Sequence, residues 1–402
     1  MPQVAAEPAA LRWFLLVSFL LNFGQGVYPP LLSEVVEALG LSLAAAGFLG
    51  TAFSLPRSLL ALPAGILVER IGPTRMMHAG MALVLAGTLA AAAASSLAAM
   101  ALARALVGLG YGATALVGIV YLMQAGPANQ RTRRGNMYEG ALISANAVSG
   151  YLAGTVSVYA GWRWGFGAAA VAVSAGWLAA AWRVFPTIRS VLQARPLAVE
   201  AAEAPAPAHR PAPQTLFAIY LLVFGLAFGW AGAIVTLAPL YGGQTLGLSA
   251  AAIGRALAIG YVVEAVLLIP VGWAADTFGR LRVLLPGLAV LVTGVALIPL
   301  TGGPRGYTLA CTLVIVGMTV WMIPASLLAE HLHGRFGSRA VSLYRFTTDL
   351  GMVAAPTIVG WLTGRHGFGV GAAAVALVLA GSGGAAGLVL GPRRRRPVRG
   401  TR

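Results

Sequence analysis

Four charged residues stand where charge is costly: Arg57, Arg104, Glu264 and Asp349 each lie inside a long apolar run. At the centre of a membrane-crossing helix such a side chain costs ~2.5–3.5 kcal/mol on insertion scales, so each needs a role. Opposite charges at one depth can neutralise each other, and an isolated carboxyl in apolar surroundings can load and release a proton. Arg57 and Glu264 lie 207 residues apart, and so do Gly65 and Gly272, which close the two runs. Each charge is eight residues before its glycine, a depth of roughly 12 Å at ~1.5 Å per residue. Asp349 lies ten residues beyond Arg339, a comparable depth of roughly 15 Å. Arg104 has Cys311 at the same offset and so gains no partner by symmetry.

The runs themselves are those of a membrane protein. Of 402 residues, 58% are hydrophobic and 9% charged, with mean hydropathy +0.82; soluble domains carry roughly 25% charged residues. So few charges could not cover a soluble globule of this size. The runs are long and lack the alternation of barrel strands, and about twelve of them can cross ~30 Å of hydrocarbon. The expected fold class is an all-α polytopic membrane protein, with a first span near Trp13 and no cleavable leader. One cysteine, Cys311, excludes a disulfide framework and a multi-cysteine metal site. His78, His331 and His333 have no metal-ligand spacing, and neither cofactor nor metal is expected.

The net charge of +16 rests on 27 arginines and no lysine. With both termini cytoplasmic, 20 of them fall in the terminal tails and the loops on that side, against Arg163, Arg255, Arg305 and Arg365 on the other. This follows the positive-inside rule and predicts a cytoplasmic-membrane protein. The run from Arg393 to Arg396 reads as a topology anchor on anionic lipid; no folded module beside it suggests nucleic-acid binding.

Internal repetition organises the chain. Gly65, Glu69, Gly72 and Arg75 recur at the same offset as Gly272, Asp276, Gly279 and Arg282, and Pro63 recurs as Pro270. Tyr138-Glu139 and Tyr344-Arg345 match at an offset of 206. A Pro-rich polar stretch divides the halves, giving predicted units 11–184, a cytoplasmic linker 185–214, 215–391 and a basic tail 392–402. Span 1 is expected over Trp13–Leu32, span 5 over Tyr138–Ala160 and span 11 over Val341–Leu362. Small residues along span 5, Gly140, Gly150 and Gly154, predict close helix approach.

With these motifs the chain resembles the major facilitator superfamily over essentially its whole length. The paired loop motif carries most of the likeness, with Glu69 where Asp276 is the usual acid and Pro73 where the second copy has Arg280. Span 4 resembles the Arg-x-x-x-Gly motif through Arg104 and Gly108. Span 5 resembles the Gly-rich motif of the drug/proton antiporter branch, with Gly150-Tyr151 in place of Gly-Pro; span 11 has Pro356 and Gly360. The resemblance implies two six-helix bundles around a central cavity that opens alternately to either side. It implies that spans 1, 4, 7 and 10 line the cavity, and that spans 2 and 11, and 5 and 8, meet between the halves.

On that arrangement Arg57 and Asp349 can pair, either as a fixed register pin or as a switch opened by substrate or proton. Glu264 has no obvious basic partner. It reads as a proton-coupling residue, with a permanently protonated acid or a direct contact to a cationic substrate as alternatives. Arg104 would act in coupling or orient a carboxylate, or simply hold spans 1 and 4 together. Glu69, Arg70, Arg75, Asp276, Arg280 and Arg282 read as latches: Arg345 could meet Glu69, and Glu139 could meet Arg280 or Arg282, when the inner side is shut. Further cavity candidates are Asn22, Gln25, Tyr28, Tyr111, Trp230, Thr236, Trp321 and Met322; aromatic and Met linings suit flat or amphipathic ligands.

The expected function is proton-coupled efflux of small apolar or amphipathic compounds by a monomeric secondary transporter. An uptake symporter or anion porter is the alternative within transport, and a non-transporting sensor or scaffold the alternative outside it. A nitrate-type porter would need a second arginine where Glu264 stands, and the basic pair of organophosphate exchangers on spans 1 and 7 is missing. No hydrolytic constellation and no Walker motif accompany the charges, so neither an enzyme nor an ATP-driven pump is expected.

Overall fold

The computed structural model describes residues 8–61, 64–124, 131–194, 212–331 and 336–391. Among these, all regular structure is helical. In hydrocarbon every backbone N–H and C=O needs a partner, and a helix supplies one within its own segment. Eleven helices are long and apolar enough to cross a membrane. In the first half they are α1 (Ala9–Ala38), α2 (Leu43–Ala61), α3 (Pro73–Ala93), α4 (Leu97–Leu122), α5 (Arg133–Ala160) and α6 (Trp162–Val191). In the second half they are α7 (Pro213–Gln244), α8 (Ala250–Phe278), α9 (Arg280–Leu300), α10 (Pro304–Glu330) and α12 (Phe368–Leu390). The twelfth predicted span, α11 (Phe336–His366), is long enough at 31 residues. It falls short in hydropathy because Asp349 and the threonines at 347, 348 and 357 dilute its apolar run.

Several expected boundaries shift: α5 begins at Arg133, ahead of Tyr138, and α11 runs over Phe336–His366, beyond Val341–Leu362 at both ends. Span 1 extends to Ala38, beyond the expected end at Leu32. Residues Phe185–Ala194, expected as linker, are helical and continue α6. Residues 195–211, the tail 392–402, Pro63 and His333 lie outside the described residues.

Four of the helices carry an irregular stretch inside their length. Helix α1 is interrupted at Asn22 and Val27, α6 and α7 contain π-helical stretches at Ala180–Val184 and Ala231–Leu237, and α10 tightens to a 3-10 turn at Met318–Val320. Each irregularity precedes a proline: Pro29 and Pro30, Pro186, Pro239, and Pro324. Proline has no N–H to give the carbonyl four residues earlier, so the ladder loosens just N-terminal to it.

The halves meet along two seams, α2 against α11 and α5 against α8. Both seams are tight. A Cβ added to Gly47 would strike the Pro356 carbonyl, and one on Gly154 or Gly254 would strike the Ala250 or Gly150 carbonyl. Gly140 has nothing within 4 Å, so the expected close approach there is absent. Helix alternation puts both loop motifs on one face, the arginine-rich face. There Gly72 (φ +84°) and Gly279 (φ +100°) make the turns after the short helix Ala64–Ile71 and after α8. These are backbone conformations that L side chains rarely adopt. In the half of the bundle towards the opposite face the two halves of the chain are bonded together. Gln244 Nε2 donates to Ser33 Oγ at 3.3 Å, and Thr51 Oγ1 donates to the Val353 carbonyl at 2.7 Å.

Candidate transport site

A cavity of about 290 Å³ lies between the two seams, near the lower end of the ~300–1,000 Å³ usual for small-molecule sites. Helical periodicity explains which residues line it. From α5 come Glu139, Leu142, Ile143 and Asn146, and from α8 Tyr261, Glu264 and Leu268. Spacings of three, four and seven put each set on one helix face. Helix α4 gives Tyr111, Ala115 and Ile119 by the same rule. Three of the irregular helices contribute at their breaks: Asn22 and Gln25 from α1, Trp230 from α7, and Trp321 and Met322 from α10. Bends at such depth are tolerated where the backbone borders a cavity and not lipid.

Four helices bring charge to the cavity. Arg57 Nη2 donates to Asp349 Oδ1 at 3.1 Å, closing an ion pair across the α2–α11 seam. The pair is partly screened, with side-chain exposures of 20% and 16%. Glu264 is 6% exposed and faces the cavity from α8. Glu139 faces it from α5 and Arg345 from α11. Among the described residues neither Glu139 nor Glu264 has an ion-pair partner, and Arg345, which is exposed, pairs with no carboxylate.

Beyond this cavity, towards the opposite face, a second pocket of about 20 Å³ touches Arg104, Tyr28, Phe53 and Ser54. Gln25, Asn146, Trp230 and Tyr261 line both spaces and form the partition between them. Arg104 is 2% exposed, with its guanidinium carbon 3.7 Å from the Tyr28 ring centroid and 4.6 Å from that of Phe53. Its Nε and Nη1 find no hydrogen-bond acceptor, and neither does the Tyr28 hydroxyl find a partner. Asn22 Nδ2 donates to Asn146 Oδ1 at 2.8 Å and to the Leu142 carbonyl at 3.1 Å, while its own Oδ1 is left unpartnered. That bond ties the break in α1 to the polar face of α5.

The sequence candidates divide. Asn22, Gln25, Tyr111, Trp230, Trp321 and Met322 line the main cavity and Tyr28 the small pocket. Thr236 lines neither; it is buried in the π-helical stretch of α7, where its hydroxyl donates to the Ala231 carbonyl at 3.2 Å. Of the loop-motif residues, Glu69, Arg70, Arg75, Asp276 and Arg282 are exposed. Arg280 meets neither Glu139 nor a residue of the first half: it pairs with Glu330 at 2.6 Å and donates to the Ser326 carbonyl, both on α10. Arg345 is exposed, borders the cavity and a neighbouring pocket beside Asp349, and makes no ion pair with Glu69.

Three contributors escaped the sequence reading. Asn146 and Tyr261 were legible in principle, as they share a helix face with Glu139 and Glu264. Glu34 was not. Its carboxylate accepts from Ser157 Oγ on α5 and from the backbone N–H of Ala250, 3.4 Å away at the start of α8. Three helices are thereby tied together on the opposite face, and the negative charge sits at a helix N-terminus, where it is favoured.

A profile of the Major Facilitator Superfamily matches residues 14–329 and, in a second register, 219–402. The chain belongs to the Major Facilitator Superfamily. Its eleven candidate spans make it a multi-pass membrane protein, and its two overlapping matches agree with the repeat in its sequence. Two proteins of Mycobacterium tuberculosis, uncharacterized MFS-type transporters MT1926 and Rv1877, are each 27% identical over 144 residues, 36% of this chain. Those residues make up only 21% of either relative. Among solved structures, a mutant of the peptide transporter POT in complex with sulfate superposes with a TM-score of 0.71 at 17% identity, covering 97% of both chains. The same transporter with alafosfalin gives 0.70 at 16% identity, covering 96% of this chain and 97% of that one. At such identity the likeness concerns the superfamily fold.

Proposed function

We propose that this superfamily member is a proton-coupled exporter of small amphipathic organic compounds, with its arginine-rich face in the cytoplasm. The observation that carries the reading is Glu264, buried and uncompensated on the wall of an aromatic-lined cavity. Its carboxylate takes a proton when the cavity faces outside and gives it up inside, where the substrate enters. Trp230, Trp321 and Met322 supply a surface that adapts to apolar bodies, while Glu139 adds a second negative site for a cationic group. Arg57 and Asp349 hold the α2–α11 seam and separate as the substrate or proton arrives. The arginine distribution supports the orientation, and the hydrogen bonds across the opposite face support reading this conformation as the inward-facing one.

A second reading, proton-coupled uptake of a zwitterionic solute such as a small peptide, is favoured by Arg345. It brings a positive charge, free of any ion pair, to the mouth of the cavity that also holds Glu139 and Glu264. The neighbours in fold are named as peptide transporters. Purified protein in liposomes under an imposed pH gradient, with ligands first screened by thermal shift, separates the two. Export predicts accumulation of lipophilic cations against an opposing proton gradient. Peptide accumulation along the proton gradient would replace this reading with uptake, and no gradient-driven flux of either class would remove both.

A further inference from the structure

We propose that the small pocket at Arg104 is a binding site for a monatomic anion such as chloride, occupied while the opposite face is shut. The argument begins with an unbalanced charge. Arg104 is 2% exposed and makes no ion pair among the described residues, and no carboxylate lines its pocket. Stacking on the rings of Tyr28 and Phe53 uses the face of the guanidinium and leaves the edge, where its donors point. Nε and Nη1 have no acceptor there. A buried charge without a counter-charge is among the costliest arrangements a protein interior can hold.

The neighbouring groups offer donors as well. Tyr28 is 1% exposed and its hydroxyl is unpartnered, and Ser54, 5% exposed, lines the same pocket. Gln25 has a free Oε1, and its amide can present either end to the space. Size then selects the occupant. About 20 Å³ exceeds the ~10–15 Å³ that one water-sized body needs, but leaves no room for a carboxylate on an organic scaffold. A single small anion satisfies both the volume and the charge.

The pocket is built from both halves, with Arg104 and Tyr28 from the first and Trp230, Tyr261 and Pro356 from the second. Opening the opposite face takes those walls apart. The anion therefore stabilises one conformer, and its release accompanies the change of access. This role is independent of which solute the main cavity carries.

The test uses the full chain in lipid nanodiscs, titrated with sodium chloride, bromide or gluconate at constant ionic strength. A ligand bound only by the intact pocket raises the apparent melting temperature in a saturable way. Chloride and bromide should do so and gluconate, too large for the pocket, should not. Arg104→Gln should weaken the halide effect at least tenfold, while Arg163→Gln, which alters an exposed arginine, leaves it intact. Should Arg104→Gln fail to fold, Tyr28→Phe keeps the ring and removes one donor, and it should weaken halide binding severalfold. Crystals grown in bromide should show an anomalous peak beside Arg104. Equal stability in chloride and gluconate, a halide effect that survives Arg104→Gln, or a pocket holding water only would overturn the proposal.

Discussion

The Arg57 guanidinium lies 3.1 Å from Asp349 and binds α2 to α11 across 292 residues of sequence. Neither helix could carry its charge alone at that depth without cost. Removing one partner leaves the other uncompensated beside an apolar seam, a loss of about 3 kcal/mol. Arg57→Ala and Asp349→Asn should therefore each lower the melting temperature in detergent. The double swap Arg57→Asp, Asp349→Arg restores the attraction and should restore stability. Transport by the swap should stay at background, because a pair that separates during the cycle must also answer to the groups around it. Full transport by the swap would reduce the pair to a fixed pin.

Glu264 makes the sharpest functional prediction. Glu264→Gln keeps size and hydrogen-bonding capacity but removes the titratable proton. Accumulation driven by a pH gradient should fall to background, while substrate-for-substrate exchange across the liposome membrane continues. Unchanged coupling to the gradient would take Glu264 out of the mechanism.

Much of this was legible before any coordinates. Duplicated glycine turns at Gly72 and Gly279 mark the repeat, because a positive φ restricts the position nearly to glycine. Charges in apolar runs identify Arg57, Asp349 and Glu264, since their cost is paid only where a partner or a cavity waits. The breaks in α1, α7 and α10 were readable from their prolines, although the kind of break was not: a missing N–H loosens a ladder without choosing between π and 3-10 repair. Thr236 misled for this reason, as a regular α7 would have given it a different face. Glu34 left no local signal. Its partners, Ser157 and Ala250, are set by how three helices arrive at one end of the bundle.

Glu34 should govern closure of the opposite face. Its carboxylate accepts two hydrogen bonds there, one of them from the start of α8, and bonds to a charged group are worth about 1.5–3 kcal/mol each. Glu34→Ala should shift the conformers towards opening on that face. Cys311 is wholly buried, so a cysteine introduced as Leu240→Cys, in the core shared by both halves, can report the shift through maleimide labelling. Labelling should rise severalfold with Glu34→Ala. An unchanged rate would mean the glycine seams alone keep the face shut.

Those seams can be tested with two glycines predicted to behave oppositely. An added Cβ at Gly254 meets the Gly150 carbonyl, a backbone atom that cannot rotate away. Gly254→Ala must push α8 from α5, and overpacking of this kind costs about 1–3 kcal/mol. The strain falls on the conformer with the opposite face shut, so Gly254→Ala should also raise labelling at Leu240→Cys and slow transport. Gly140 lies on α5 with open space around it, and Gly140→Ala gains helix propensity of up to about 1 kcal/mol. It should leave labelling unchanged and stability equal or slightly higher. If the two substitutions behaved alike, close backbone approach would not be what limits the α5–α8 seam.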